Sequence, residues 1–123
     1  MDNPQISVIG GGVAGCEAAY QAARRGVAVS LYEMRPDRAT ELHQTDALAE
    51  LTATNSLGID RLDKASGLLI EELRALGSVI AAAADVARIG NAFELEVDVG
   101  EFTSIVEEAV HEIGRIEIVH EQV

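Results

Sequence analysis

A glycine-rich turn directly after a short apolar run restricts the fold of this chain more than any other feature. Gly10, Gly12 and Gly15 match the pattern G-x-G-x-x-G, and residues 6–9 before them are mostly apolar. The first glycine permits a tight turn out of a strand, the second lets a pyrophosphate approach the backbone, and the third lets a helix pack closely. The N-terminus of that helix then offers N–H groups and a positive dipole end to a phosphate.

The sequence around the glycines supports a strand-helix-strand unit. Residues 6–9 predict a buried parallel strand, residues 16–25 a helix rich in Ala, and Gly26 stands where a helix ends. Residues 27–32 are largely apolar and predict a second strand that ends at Glu33. A carboxylate at that place accepts hydrogen bonds from a ribose diol and disfavours NADP, so FAD and NAD both remain open. The alternative is a glycine-rich turn beside a surface Glu.

The remainder of the chain is predicted to alternate loop, helix and strand. The predicted elements are an irregular segment over 36–63 with one helical turn near 47–51, a helix over 65–84 that Gly77 breaks or kinks, a strand over 93–97, a helix over 102–113 and a terminal strand over 116–119. This order predicts an α/β fold that begins as half of a mononucleotide-binding domain.

Composition excludes several classes of function. The net charge is -12, with nine Lys and Arg against 21 Asp and Glu, which disfavours direct contact with RNA phosphates. A single cysteine, Cys16, rules out an internal disulfide and fits a reducing compartment. No apolar run is long enough for a membrane span, and the N-terminus lacks the basic stretch of a signal peptide. We therefore expect a cytoplasmic protein.

Longer runs carry a more specific resemblance than the glycines do. They are IGGGVAGCEAA at residues 9–19, LYEMRP at 31–36, HQTD at 43–46 and NSL at 55–57. Together they resemble the bacterial folate- and FAD-dependent tRNA (uracil-5-)-methyltransferases, over essentially the whole chain. The resemblance implies a Rossmann-like FAD-binding domain of the glutathione-reductase type, here incomplete. It makes residues 1–123 its N-terminal part, with the β-α-β motif in 1–36 and a loop, helices and third strand in 37–123.

The resemblance also implies an activity and its cofactors. Family members transfer a methylene from methylenetetrahydrofolate to a uracil in the T-loop of tRNA, with FAD as the reductant and NAD(P)H as its electron source. The catalytic and C-terminal parts, which hold most of the tRNA surface, are absent here, so this chain is expected to be inactive alone. Two alternatives stay open: a stand-alone FAD- or NAD-binding module, and a fragment of another FAD-dependent oxidoreductase.

Carried over by position, the resemblance implies a set of cofactor contacts and no catalytic or metal-binding residue. The set is Gly10, Gly11, Gly12, Val13, Ala14, Gly15, Glu33, Met34, Arg35 and Val123. Glu33 would hold the adenosine ribose. Arg35 would face a phosphate or the adenine side, with a solvated side chain as the alternative. Residues 118–123 would form the strand that offers backbone groups to adenine, with Val123 at the contact.

The chain departs from the family pattern at two positions. Ala53 stands where members commonly have a cysteine, so no thiolate can act there, and Cys16 is expected in the core instead. Val99 replaces an arginine after Asp98, which removes a positive charge. His43 near Asp46 is expected either to contact cofactor or substrate or to be a plain loop histidine.

Overall fold

The computed structural model describes residues 5–41, 43–52, 54–90 and 93–123. The elements along the chain are β1 (Gln5–Ile9), α1 (Val13–Arg24), β2 (Ala28–Glu33), β3 (Ser56–Ile59), α2 (Ala65–Ala75), α3 (Val79–Ala87), β4 (Glu94–Glu96), α4 (Val99–Glu112) and β5 (Ile116–His120). Within these residues, β1, β2 and β5 form one parallel sheet with β2 in the centre, and β3 and β4 form a small antiparallel sheet.

The glycine motif produces the predicted β-α-β unit. Strands β1 and β2 are parallel neighbours, with Ile6 opposite Val29 and Ile9 opposite Tyr32. Gly26 follows α1 with a φ of +87°, a conformation that glycine adopts without strain, so the chain can reverse into β2. The prediction of adjacent, parallel first and second strands is therefore confirmed.

The middle of the chain differs from the predicted loop and single long helix. Residues 56–59 form β3, which pairs with β4 far along the chain, so the prediction of irregular structure there is wrong. The predicted helical turn near 47–51 is also wrong, because Ala49 has a φ of +56°. The predicted break at Gly77 is confirmed: its φ is +79°, and the Ser78 hydroxyl then caps α3 by accepting from the N–H of Ala81.

The last helix and strand complete the three-stranded sheet. Asp98 caps α4 by accepting a hydrogen bond from the N–H of Glu101 at 2.9 Å. Strand β5 then pairs with β2 and ends at His120, so the predicted strand over 118–123 stops three residues early. The chain after His120 leaves the sheet at the carboxyl end of β5, where Val123 is 76% exposed.

The core lies between the sheet and the helices, and it leaves β1 poorly covered. Its fully buried members include Cys16, Leu31 and Phe102. On β1, in contrast, Ile6 is 44% and Ile9 is 61% exposed. None of the helices in the described part of the chain is long and apolar enough to cross a membrane.

Candidate nucleotide-binding site

A cleft of about 250 Å³ lies at the carboxyl ends of β1 and β2, next to the chain that follows β5. Its lining residues are Ile9, Gly10, Gly11, Gly12, Tyr32, Glu33, Met34, Arg35, His43, Glu121, Gln122 and Val123. The ligand site of an open α/β sheet is expected at this end of the strands. The fold therefore brings residues 10–12 of the glycine turn, the Glu33–Arg35 run and Val123 to one place. Val13, Ala14 and Gly15 form the first turn of α1, which begins directly after Gly12.

Gly10 and Gly15 occupy positions at which a side chain would be strained or would clash. Gly10 has a φ of +100°, and its N–H donates to the carbonyl of Tyr32 at 2.7 Å, which closes the turn out of β1. A Cβ built on Gly15 would lie 1.8 Å from the carbonyl oxygen of Gly10. Gly15 therefore allows α1 to approach the turn after β1, as the motif predicts.

Gly12 differs because no atom of the protein fills the space beside it. A Cβ built on Gly12 would meet nothing within 4 Å. Gly12 is also the N-cap of α1 and provides no side chain to bond the first turn. The first N–H groups of a helix have no partner within the helix, so this end can receive an anion. The open space and the helix N-terminus together fit a pyrophosphate.

Gly11 is covered by a segment that the motif does not include. The N–H of Ala49 donates to the carbonyl of Gly11 at 2.8 Å, and a Cβ on Gly11 would lie 2.7 Å from Leu48. The same segment is anchored on its other side, where the N–H of Leu48 donates to Glu107 at 2.8 Å. A side chain at position 11 would therefore require the Leu48 side chain to shift and would crowd Glu33.

Glu33 is buried beside the cleft and is ionised by its neighbour. Its Oε2 accepts from Nη2 of Arg35 at 2.6 Å and from Nε at 3.2 Å, whereas Oε1 has a longer contact of 3.4 Å with the N–H of Arg35. Burial opposes the charge, but the hydrogen bonds from Arg35 outweigh it and hold the pKa of Glu33 below its usual value. Backbone N–H groups of Met34 and Arg35 also lower the pKa of Glu33. Glu33 is thus a carboxylate whose Oε2 meets the Arg35 side chain and whose Oε1 has no side-chain donor, which suits a ribose hydroxyl.

Arg35 lies in the interior rather than in solvent. Only 1% of it is exposed, so the solvated alternative is wrong. Its Nη1 donates to Glu50 and to the carbonyl of Thr45, both at 2.9 Å, and its other side meets Glu33. Two carboxylates compensate this single positive charge. The sequence analysis did not identify Glu50, which belongs to the segment predicted as irregular chain.

His43 and His120 form local hydrogen bonds, and Cys16 is buried in the core. A ring nitrogen of His43 bonds the hydroxyl of Thr40 at 2.9 Å, and Nδ1 of His120 lies 2.5 Å from the carbonyl oxygen of Arg35. Cys16 is fully buried, as predicted, and burial raises the pKa of its thiol to about 12. Ala53 lies outside the described residues. The described residues contain no group of three or more His, Cys, Asp or Glu that could hold a metal ion.

The part of the chain that contains the glycine turn and Glu33, the last residue of β2, matches one protein family. Its model is described as "Glucose inhibited division protein A" and matches residues 5–123. The chain belongs to this family. Among its relatives, a methylenetetrahydrofolate–tRNA-(uracil-5-)-methyltransferase TrmFO of Geotalea daltonii is 47% identical over all 123 residues. The protein of the same name from Syntrophomonas wolfei is 45% identical over 97% of the chain. The resemblance drawn from the sequence is therefore confirmed.

The chain is much shorter than these relatives. It spans 28% of the Geotalea protein and 27% of the Syntrophomonas protein. Solved structures share the fold at low sequence identity. The match to Thermovibrio ammonificans THI4 has a TM-score of 0.53 and 16% identity, and it covers 96% of this chain and 37% of THI4. The flavin-dependent monooxygenase PieE, solved with FAD and substrate, has a TM-score of 0.55 and 18% identity over 96% of this chain and 23% of PieE. The predicted class, an incomplete Rossmann-like FAD-binding domain, is confirmed.

Proposed function

We propose that this chain binds the ADP half of FAD and is the N-terminal, cofactor-binding portion of a methylenetetrahydrofolate–tRNA-(uracil-5-)-methyltransferase. The observation that carries the proposal is the cleft that joins the glycine turn, Glu33 and Val123 at the carboxyl ends of the parallel strands. The open space beside Gly12 and the ionised Glu33 fit the two polar parts of an ADP group, its pyrophosphate and its ribose.

Each predicted contact has a distinct task in this proposal. The N–H groups of the first turn of α1, from Val13 to Gly15, would bind the pyrophosphate, and Glu33 would accept from the ribose hydroxyls. Met34 and Val123 would border the adenine. When bound, FAD would supply the reducing electrons of the methyl transfer. Arg35 would contribute no charge to the phosphates because Glu33 and Glu50 already compensate it.

The proposal assigns no methyl transfer to this chain alone. It spans little more than a quarter of its relatives, and Ala53 provides no thiol at the family's cysteine position. With a net charge of -12, its contacts with tRNA would come from the parts it lacks. A cytoplasmic location belongs to the same proposal. Transfer of a radiolabelled methylene to a T-loop uridine above background, by this chain alone, would contradict the inactivity.

The exposed β1 favours a portion of a larger enzyme over a stand-alone module. Ile6 and Ile9 leave apolar surface in solvent, and within the described residues β1 pairs with β2 alone. Exposed strand edges of this kind are normally covered or blunted in independent proteins. A further part of the enzyme would cover this strand.

Calorimetry with ADP, FAD and NAD tests the proposal directly. We expect ADP and FAD to bind with similar affinity, because few contacts to the flavin ring are available in this chain. Gly12→Val, which fills the open space, and Glu33→Ala, which removes the ribose acceptor, should each weaken binding. If both variants bind as the unmodified chain does, the cleft is not the site. Clearly tighter binding of NAD than of FAD would favour the alternative of an NAD-binding module.

A further inference from the structure

The guanidinium of Arg35 lies between two buried carboxylates. Its Nη2 meets Glu33 at 2.6 Å on the side of the cleft, and its Nη1 meets Glu50 at 2.9 Å on the other side. The side chains of all three residues are between 1% and 6% exposed. Removing one partner of such a buried group would leave the charge of another uncompensated.

The contact with Arg35 treats the two oxygens of Glu33 differently. Both side-chain N–H groups of Arg35 that reach Glu33 meet the same oxygen, Oε2. Oε1 has the longer contact with a backbone N–H at 3.4 Å. A guanidinium can also bind a carboxylate through two parallel bonds, one to each oxygen, and that arrangement would occupy both. The observed orientation therefore leaves Oε1 as the acceptor for a ligand.

Glu50 and the carbonyl of Thr45 hold the guanidinium in this orientation from its far side, through Nη1. Glu50 is in turn fixed by its second oxygen, which accepts from the N–H of Gln44 at 3.0 Å and from the N–H and hydroxyl of Thr45 at 2.8 and 3.0 Å. Every polar contact of Glu50 named here therefore points either to Arg35 or to the turn that carries Thr45.

We propose that Glu50 is a positioning residue for ribose recognition: through Arg35 it keeps Oε1 of Glu33 available to the ribose diol. The inference rests on the proposed function, in which Glu33 accepts from the ribose. The proposal adds the segment 44–50 to the glycine motif as part of the site. Thr45 and Glu50 of this segment contact Arg35, and Arg35 contacts Glu33. The chemical class recognised is a nucleotide with an intact ribose diol.

A carboxylate is required at position 50 because both of its oxygens accept hydrogen bonds. Glutamine has one acceptor oxygen and an NH₂ group that only donates. In Glu50→Gln, that NH₂ must face either Arg35 or the N–H groups of Gln44 and Thr45, and donor then meets donor. If the NH₂ faces Arg35, the bond to Nη1 is lost, and if it faces Gln44 and Thr45, the bonds that fix residue 50 are lost. Either orientation weakens the hold on the guanidinium with little change in volume. Glu50→Asp is the second variant, since it keeps the charge but withdraws the carboxylate by one methylene.

The test compares ADP with 2′,3′-dideoxy-ADP, which lacks both ribose hydroxyls, by calorimetry on each variant. The unmodified chain should bind ADP at least about tenfold more tightly than 2′,3′-dideoxy-ADP, as expected for a hydrogen bond to a charged acceptor. In Glu50→Gln and Glu50→Asp this ratio should fall to about two- to threefold while affinity for the dideoxy nucleotide stays unchanged. In a chain that carries Glu33→Ala, adding Glu50→Gln should leave the ratio as it is.

Glu107→Ala is the matched control. Glu107 anchors the same segment through the N–H of Leu48 but has no bond to Arg35 among those found here. It should alter binding of both nucleotides equally, if at all, and leave their ratio unchanged. Circular dichroism and thermal unfolding establish that each variant is folded.

The outcomes separate the inference from the proposed function. A folded Glu50→Gln or Glu50→Asp chain with the full ratio overturns the inference, and so does an equal loss for both nucleotides. A ratio near one in the unmodified chain overturns the ribose role of Glu33 itself. A reduced ratio confined to the Glu50 variants supports the inference.

Discussion

The glycines at positions 12 and 15 belong to one motif, yet the structure predicts opposite consequences for the same added methyl group. In Gly15→Ala, the new Cβ would lie 1.8 Å from the carbonyl oxygen of Gly10. In Gly12→Ala, the new Cβ would meet no atom within 4 Å, and the backbone φ of -76° is ordinary for alanine. The first substitution should therefore damage the fold, and the second should damage only the binding of a nucleotide.

The magnitude at position 15 follows from that distance. Real Cβ atoms essentially never approach closer than 3.0 Å, so the helix and the turn must separate by more than about 1 Å. Overpacking costs about 1–3 kcal/mol, and a backbone obstacle places this site at about 3 kcal/mol, a large share of a small domain's stability. The melting temperature should fall by about 10 °C or more.

At position 12 two small effects on stability offset each other. Alanine restricts the unfolded chain, which stabilises by about 0.4–1 kcal/mol, but it is a poorer N-cap than glycine by a similar amount. The free energy of unfolding should therefore stay within about 1 kcal/mol of its original value. The methyl group would occupy the space assigned to the pyrophosphate, and ADP affinity should fall about tenfold or more, equivalent to about 1.4 kcal/mol.

Thermal and urea unfolding, together with calorimetry with ADP, measure both effects on the unmodified chain, Gly12→Ala and Gly15→Ala. Gly12→Ala serves as the control for Gly15→Ala, since each adds one methyl group within the same turn. An undiminished melting temperature for Gly15→Ala would refute the packing argument. Unchanged ADP affinity in a folded Gly12→Ala chain would refute the assignment of the open space to the pyrophosphate.

Three further predictions concern charge and burial. Affinity for ADP should rise as salt increases from about 10 mM to about 150 mM, because screening weakens repulsion between the anionic ligand and a chain of net charge -12; titration calorimetry across salt should show it. Hydrogen bonds outweigh burial and lower the pKa of Glu33 and Glu50 below 4.5. The stability that these carboxylates contribute is therefore fully present above pH 4.5 and is lost as pH falls through the lowered pKa values. Urea unfolding at a series of pH values should show that Glu50→Gln loses less free energy of unfolding on acidification than the unmodified chain does. Cys16, buried with a thiol pKa of about 12, should react with a maleimide only as fast as the structure opens, and mass spectrometry should find rapid labelling in urea alone.

The parts of the fold that the sequence predicted are those in which neighbours along the chain determine the structure. The turn at Gly10, the helix after it and the strand ending at Glu33 follow from spacing and propensity within one continuous run. Strand β3 was missed because it has four residues, contains a glycine and pairs with β4 through a non-local contact. The apolar pattern placed the terminal strand over 116–119, one residue short of the observed end at His120, whereas the strand over 118–123 implied by the resemblance runs past the point where the pairing with β2 stops.

The contacts of the candidate site likewise include some that the sequence could have indicated and others that it could not, and those of Arg35 are of both kinds. Glu33 and Arg35 are oppositely charged and two residues apart at the end of β2, so their proximity along the chain could have indicated an ion pair. Nothing comparable indicated Glu50, because the path of residues 44–50 depends on distant bonds from Ala49 to Gly11 and from Leu48 to Glu107.

The residues that ionise Glu33 and engage its oxygens therefore lie partly outside the glycine motif. The motif specifies Glu33 and the turn that faces it, but the orientation of Arg35 comes from a segment outside the motif. A chain with the same glycines and no carboxylate at position 50 would keep Glu33 but lose one of the two bonds that hold Nη1 of Arg35, leaving the bond to the carbonyl of Thr45. Nucleotide affinity in this chain should consequently depend on Glu50, which acts through its contact with Arg35.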